Sequence, residues 1–246
     1  MSDEGRQAVS FVRDPASPAV LTLILNRPAR LNAYDRSMRD ALFEGLGLAD
    51  ADPTIAVVIV RGAGRAFSSG GDLEEFGTAP SAVEAREIRL MRDVWNRLAS
   101  LDAWTIASIH GLAFGGGLEM ALLCDLVLCA SDARLALPET GLGALPGVGG
   151  TQTLPRRVGE GRASAMLLAG REMDGREAAR IGAVSGSVSP ARLEGETRRW
   201  ASKLAVLDPR LSAALRGCLR RGVDLPLGEA LRLEKRAAKR IGMEPK

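Results

Sequence analysis

The sequence predicts an α/β core followed by a helical C-terminal section. Residues 55–60 are continuously apolar and mostly β-branched, as expected for a parallel strand that is covered on both faces. Strands alternate with helices up to about Gly150, and helical periodicity dominates beyond it. A length of 246 residues and an apolar content of 46% suit such a globular chain. We expect the core to span residues 1–190 and the helical section residues 191–246.

The elements of the core are predicted from apolar periodicity. Strands are expected over 19–25, 55–60, 104–109 and 125–130. The first helix is expected over 35–49, and the second helix, over 81–99, places Ile88, Met91, Trp95 and Leu98 on one stripe. Further helices are predicted over 160–169, 174–181, 191–205, 208–221 and 226–241.

Composition and charge argue against several classes of protein. The net charge of +3 is scattered, which is weak support for a nucleic-acid partner. No apolar run reaches membrane-spanning length and the N-terminus lacks a signal-peptide core, so we expect a cytoplasmic protein without a membrane partner. Cys124, Cys129 and Cys218 lack metal-ligand spacing and are expected to be reduced and buried. With His110 as the only histidine, neither a Ser-His-Asp triad nor a histidine metal site is expected.

A glutamate inside an apolar helix is the feature that most needs a function. Glu119 follows the glycines 115–117 and precedes the apolar run 120–123. An ionised carboxylate in such surroundings is costly unless it is paired or used. Glu139 follows Pro138 twenty positions later. The structural alternatives are a helix-cap or salt-bridge role for Glu119, and a helix start at Glu139.

Three ordered motifs accompany the two glutamates. They are residues 66–73 (AFSSGGDL), residues 109–125 (IHGLAFGGGLEMALLCD), and the pair LPE at 137–139 and LPGVGGTQ at 145–152. Together with Asn26-Arg27-Pro28 and Leu31-Asn32-Ala33, they resemble the crotonase family, the enoyl-CoA hydratase and isomerase superfamily. The resemblance spans about residues 20 to 240. It implies a crotonase-type spiral of ββα units with a helical C-terminal section for oligomerisation.

The resemblance assigns catalytic positions. Glycine lacks a Cβ, so two glycine-rich turns can bring backbone N–H groups close to one thioester oxygen. Matched position by position, the amides of Gly71 and Gly116 are expected to form an oxyanion hole. Glu119 is expected to act as the base towards water, and Glu139 to supply or remove the proton at the α-carbon. The amide of Gly147 matches a position that helps to hold the water.

The resemblance also implies a coenzyme A thioester as substrate, with no separate cofactor and no metal. The positions that match the ligand-binding loops of the family are Arg27, Arg30, Leu31, Ser68, Ser69, Asp72 and Leu73. Typical relatives continue for a further helix that helps to hold the ligand, whereas this sequence ends at Lys246. An acyl carrier protein therefore stays open as the thioester carrier.

The predicted activity is that of an enoyl-CoA hydratase, a hydro-lyase of fatty acid or related acyl-CoA metabolism. The resemblance implies a homotrimer or a dimer of trimers. Three alternatives remain open at this point. They are a double-bond isomerase, a dehydratase acting on carrier-bound acyl chains, and an RNA-binding relative, although a lysine-rich helix is missing.

Overall fold

The computed structural model describes residues 7–75, 78, 81 and 92–242. The chain divides into two compact units, Met1–Ser202 and Lys203–Lys246. Within the described residues the strands are β1 Val9–Asp14, β2 Ser17–Leu25, β3 Val57–Gly62, β4 Trp104–Ile109, β5 Leu112–Phe114, β6 Leu126–Ala130, β7 Arg134–Ala136, β8 Met173–Asp174 and β9 Gly186–Val188. The α-helices are α1 Arg36–Ala51, α2 Val94–Ser100, α3 Gly116–Leu123, α4 Gly150–Val158, α5 Glu160–Ala169, α6 Gly175–Ile181, α7 Pro190–Ala205, α8 Pro209–Gly222 and α9 Leu227–Arg240.

A six-stranded sheet forms the centre of the first unit, in the order β1-β2-β3-β4-β6-β9. Only the hairpin of β1 and β2 is antiparallel among these pairs, and the remaining neighbours are parallel. Every residue of β4 is buried, and β3 is buried at all positions but Arg61. Their continuous apolar character therefore reflects cover on both faces of the sheet.

A second, three-stranded sheet has the order β5-β7-β8. The chain passes from β4 in the large sheet to β5 in the small sheet and then into α3, and it repeats this alternation from β6 to β7. This alternation is the ββα unit that the family resemblance implies. It places the loops that follow β3, β5 and β7 next to one another.

Four predicted strands and the helices after residue 160 are confirmed within two or three residues at each end. Of the predicted helix over 81–99, the described part is α2, and residues 82–91 lie outside the described residues. The strands β1, β5, β7, β8 and β9 and the helix α4 were not predicted. Most of these strands have two or three residues, too few to display a period. The helix α4 starts at two glycines and contains Pro155, and both residue types argue against a helix in the sequence.

The cysteines correct one expectation. None of the three cysteines forms a disulfide, and Cys124 and Cys129 are buried as predicted. Cys218 is only partly buried, because it lies on α8, a helix whose apolar face is largely exposed.

The second unit contains α8 and α9. The Asp208 carboxylate caps α8 by accepting a hydrogen bond from the Leu211 amide at 3.0 Å. Five leucines of these helices are exposed by 38% or more: Leu211, Leu215, Leu219, Leu227 and Leu231. Their spacing of four residues along each helix places them in apolar stripes.

A search of the described residues finds no helix with the length and apolar character that crossing a membrane requires.

Candidate active site

Three loops meet at the carboxyl ends of the parallel strands. An isolated parallel bridge joins Ser68 in the loop after β3 to Ala113 in β5. The Phe114 amide donates to the Ser68 carbonyl at 3.0 Å, and the Gly115 amide donates to the Ala136 carbonyl at 2.9 Å. These backbone bonds bring the first, second and third sequence motifs to one edge of the fold, where ligand sites of parallel sheets form.

The amides of Gly71 and Gly116 lie close together at this edge. A Cβ atom built on Gly116 would lie 3.8 Å from the Gly71 nitrogen. Gly70 has a φ of +94°, and a Cβ there would meet the Phe114 carbonyl oxygen at 2.8 Å, so only glycine fits. Among the described residues, neither the Gly71 amide nor the Gly116 amide has an acceptor. Both donors are therefore available to a ligand oxygen.

Glu119 lies in the first turn of α3 with only 1% of the residue exposed. Its Oε1 accepts hydrogen bonds from the Gly150 amide at 2.7 Å and the Val148 amide at 2.9 Å. Gly150 is the first residue of α4, so the carboxylate lies at a helix N-terminus, where the helix dipole favours negative charge.

Two opposing effects act on the proton affinity of Glu119. Burial raises the pKa of its carboxyl above the ordinary value, and the N–H groups of Gly150 and Val148 limit that rise. The amides of Gly147 and Gly149 also lower the pKa of Glu119. The Gly147 amide therefore acts on the Glu119 carboxylate, and its predicted contact with a water remains a prediction.

Glu139 begins the 3₁₀ turn Glu139–Leu142 and is half-buried. The next residue anchors this turn, because the Thr140 hydroxyl donates to the Leu167 carbonyl at the end of α5 at 2.7 Å. The Glu139 carboxyl lies against the second motif, since a Cβ on Gly115 would be 2.9 Å from Oε1. Its Oε2 is buried and has no hydrogen-bond partner among the described residues.

The surroundings of Glu139 favour a bound proton. Burial raises the pKa of its carboxyl, its own backbone amide opposes part of that rise, and the negative charge of Glu119 adds to it. An orphaned buried oxygen costs about 1–3 kcal/mol, so Oε2 is a place where a ligand donor or acceptor is needed.

Arg27 and Asp72, two predicted ligand-binding residues, bind each other. The Arg27 Nη1 donates to the Asp72 Oδ2 at 2.9 Å and to the Ala33 carbonyl at 2.7 Å. Its Nη2 pairs with Asp35 at 3.1 Å. Against the effect of burial, the Arg27 hydrogen bond holds the pKa of Asp72 below its ordinary value. In this arrangement Arg27 joins the loop after β2 to the first motif, and its part in phosphate binding remains a prediction.

The other predicted ligand-binding residues border the same loops. Arg30 is exposed and pairs with both carboxylate oxygens of Glu74, at 2.6 and 2.9 Å. Leu73 is 67% exposed. Leu31 and Ser69 are partly buried and joined by a 2.9 Å hydrogen bond from the Ser69 amide to the Leu31 carbonyl. The Ser68 side chain is fully buried and donates to the Asn32 carbonyl at 2.8 Å, so it supports the loop from inside.

Two supporting groups were not predicted. Asn32 is fully buried, and its side-chain amide donates to the carbonyls of Ala63 and Ala66 at 2.9 and 2.8 Å. It accepts from the Arg27 amide at 2.9 Å and so connects the loops after β2 and β3. The amides of Val148 and Gly150 are the second group. The glycine pair at 149–150 could have indicated this contact in the sequence, because glycine permits close approach of the backbone to a carboxylate.

Among the described residues, no group of three or more His, Cys, Asp and Glu side chains is placed to hold a metal ion. The arrangement combines two carboxyls of raised pKa with two backbone donors that have no acceptor in the part of the chain that the structure describes. Chemically, such a site is suited to move a proton while an adjacent oxygen gains negative charge.

Comparison with known proteins agrees with this geometry. The family model described as enoyl-CoA hydratase/isomerase matches residues 16–244. The 2,3-dehydroadipyl-CoA hydratase of Escherichia coli is 38% identical over 217 residues, which is 88% of this chain and 84% of that protein. The crystal structure of an enoyl-CoA hydratase from Bacillus anthracis superposes with a TM-score of 0.88 at 33% identity, covering 95% of this chain and 90% of that chain.

A putative enoyl-CoA hydratase from Thermobifida fusca, solved in complex with CoA, superposes with a TM-score of 0.87 at 27% identity and covers 96% of this chain and 93% of that chain. The match of the family model over most of the sequence, the fold and the order of the three motifs agree. The chain therefore belongs to the enoyl-CoA hydratase/isomerase family.

Proposed function

We propose that this protein is an enoyl-CoA hydratase, which adds water across the double bond of a trans-2-enoyl-CoA to give a 3-hydroxyacyl-CoA. The single observation that carries the proposal is that Glu119 and Glu139 lie beside the amides of Gly71 and Gly116, which have no acceptor among the described residues. Hydration needs a base for water and an acid for the α-carbon, and two carboxyls in different surroundings provide both. An isomerase needs one such group to move a proton, so two carboxyls favour hydration.

The hydrogen bonds of the two carboxyls assign their roles. Glu119 is the proposed base, because two amides donate to its carboxylate and favour the ionised form, and it takes a proton from water. Glu139 is the proposed acid, because burial and the charge of Glu119 oppose its ionisation and its Oε2 has no hydrogen-bond partner among the described residues.

These roles account for every proton that moves during hydration. The water oxygen bonds to C3 as Glu119 removes one water proton, and the electrons of the C2–C3 double bond move towards the thioester oxygen. The amides of Gly71 and Gly116 stabilise that oxygen as an oxyanion hole. Glu139 delivers its proton to C2, and the proton gained by Glu119 returns to Glu139 before the next turnover. The reverse sequence dehydrates a 3-hydroxyacyl thioester.

Coenzyme A is the proposed carrier, as part of the substrate and without a separate cofactor. Two similar proteins support this choice. The Escherichia coli relative is named for an acyl-CoA substrate, and the Thermobifida fusca structure was solved in complex with CoA. Arg30, Leu31, Ser69 and Leu73 are the proposed contacts of the coenzyme A part; the Ser69 amide already joins their two loops by its hydrogen bond to the Leu31 carbonyl. The Arg30 guanidinium has a geometry that suits a phosphate group. To bind one, it would leave its exposed ion pair with Glu74.

The proposed assembly is a homotrimer or a dimer of trimers. The exposed leucine stripes of α8 and α9 support it, because apolar stripes of this kind are commonly covered by a partner.

Incubation of the purified protein with crotonyl-CoA tests the activity, with the conjugated-enoyl absorbance as readout. We expect the absorbance to fall and 3-hydroxybutyryl-CoA to form. Glu119→Gln and Glu139→Gln should each lower kcat by about 10²- to 10⁴-fold while the substrate still binds, since each removes one proton-transfer group. Absence of hydration across a series of acyl-chain lengths would refute the proposal. A crotonyl thioester of acyl carrier protein, offered in parallel, tests the choice of carrier.

A further inference from the structure

Arg157 is a largely buried cation near the end of α4. Its Nη2 donates to the Cys124 carbonyl at 2.7 Å and to the Leu122 carbonyl at 3.1 Å. Because the guanidinium is largely removed from water, burial lowers its pKa. Its hydrogen-bond partners among the described residues are backbone carbonyls, and the Asp125 carboxylate, which forms no direct ion pair with it there, partly offsets the effect of burial on its pKa. A buried charge with such partners is costly, and a well-packed apolar side chain would avoid that cost.

The two carbonyls that Arg157 binds lie at the C-terminal end of α3, where helix carbonyls lack intrahelical donors and the dipole is negative. The guanidinium therefore caps α3 from the neighbouring helix. Glu119 stands in the first turn of that same helix, and its carboxylate binds the amides at the start of α4.

The helices α3 and α4 are thus joined at both ends, N-terminus to N-terminus and C-terminus to C-terminus. At one end the carboxylate of α3 accepts from α4, and at the other end the cation of α4 donates to α3. Between them, Leu154 and Val158 bury the apolar face of α4. Apolar packing alone tolerates sliding of one helix along the other, whereas two directional hydrogen-bonded contacts determine the axial position.

We propose that Arg157 is a positioning residue: by binding the last carbonyls of α3 it sets the position of α4, so that the Val148 and Gly150 amides reach the Glu119 carboxylate. The inference rests on the proposed function for the part that concerns turnover. Its effect on Glu119 itself is independent of that function.

The test compares Arg157→Met, which keeps a long apolar side chain and removes the donors, with Arg162→Met on the exposed surface of α5. We expect Arg157→Met to lower kcat with crotonyl-CoA by about 10- to 100-fold, because small misplacements of catalytic groups have effects of that size. KM should stay within about twofold, since the substrate contacts are unchanged. Arg162→Met should behave as the wild type.

A second readout separates positioning from a general loss of stability. Amides that donate to the carboxylate favour its ionised form, so their withdrawal raises the pKa of Glu119. The acid limb of the pH–rate profile should therefore move upward by about one pH unit in Arg157→Met. Carboxyl ¹³C NMR, with the Glu119 signal assigned by its loss in Glu119→Gln, measures the same shift without any turnover. Arg157→Lys, which retains a cationic donor, should restore part of kcat and part of the shift.

The outcomes distinguish the two proposals. A wild type that hydrates no enoyl thioester refutes the proposed function, and the NMR titration still decides the role of Arg157. An active wild type combined with an Arg157→Met that keeps the wild-type pKa of Glu119 overturns the positioning role, whether kcat falls or not. If Arg157→Met does not fold, Arg157→Gln, which keeps one donor group, is measured by the same two readouts and judged by the same criteria.

Discussion

Glu119 and Glu139 differ in what surrounds their carboxyl oxygens. Glu119 is almost completely buried, yet two amides donate to it, so its ionised form is supported. Glu139 is less buried, but its Oε2 lacks a partner among the described residues, and the negative charge of Glu119 raises its pKa. Burial by itself does not decide which carboxyl is the acid. In the proposed mechanism the two amides that donate to Glu119 make it the base, because they favour only its ionised form.

Glu139→Gln should change the pH dependence of stability. A carboxyl whose pKa is raised on folding stabilises the folded state fully below its unfolded value, about 4.3, and loses that contribution as pH rises through the folded pKa. Glutamine stays neutral throughout. We therefore expect Glu139→Gln to be more stable than the wild type at neutral pH, and the gain to shrink towards pH ~4. Urea denaturation across a pH series measures it; a gain that does not vary with pH would contradict the raised pKa.

At the level of elements, the N-terminus of α4 holds the catalytic carboxylate proposed as the base. A Cβ on Gly150 would lie 3.0 Å from the Glu119 Oε1 and 3.1 Å from its Cγ, which is closer than normal packing permits without a shift. The sequence pattern did not predict α4 as a helix. The element that orients Glu119 was therefore visible only as a glycine-rich motif.

Gly150→Ala tests this element. The added methyl group displaces the Glu119 carboxylate or the start of α4, and we expect kcat to fall by about 10- to 100-fold. Gly161→Ala is the matched control, because it is also a helical glycine and a Cβ there meets nothing within 4 Å. It should keep full activity and gain up to about 1 kcal/mol of stability from helix propensity. Steady-state kinetics and thermal unfolding of both variants measure these effects. Equal activity of the two variants would show that the approach to Glu119 is not critical.

At the level of the whole molecule, the proposed assembly depends on the second unit. Its two helices expose leucines in regular stripes instead of burying them. The chain spans 84% of the Escherichia coli protein. The helices that carry the stripes lie within the range matched by the family model.

A double substitution, Leu215→Glu with Leu231→Glu, should dissociate the assembly into monomers, because each carboxylate would be desolvated at an apolar contact. The expected readout is a roughly threefold or greater fall in molar mass by size-exclusion chromatography with light scattering, as a cyclic or dihedral oligomer requires. Leu168→Glu is the control, since Leu168 is 78% exposed on α5 in the first unit. A wild type that already elutes as a monomer, or a double variant of unchanged mass, would contradict the proposed role of the stripes.

Local patterns in the sequence determined the class of fold, most of the longer elements and the family. The apolar runs of β3 and β4 and the periodic helices after residue 160 carry their own signal over neighbouring residues. The two glutamates stood out because an acidic residue among apolar neighbours or in a glycine-rich motif is locally unusual. Each of these features can be recognised from residues that are close together in the sequence.

Only the tertiary structure decided which groups surround each side chain. Arg27 and Asp72 are 45 positions apart and pair with each other, and Glu119 binds an amide 31 positions away. The contacts of Arg157 with the end of α3 span 33 and 35 positions. No periodicity encodes such pairs, because they arise when separate loops and helix ends are brought to the same edge of the sheet. The proton affinities of the glutamates depend on those contacts and on burial, so they too were determined only by the folded arrangement.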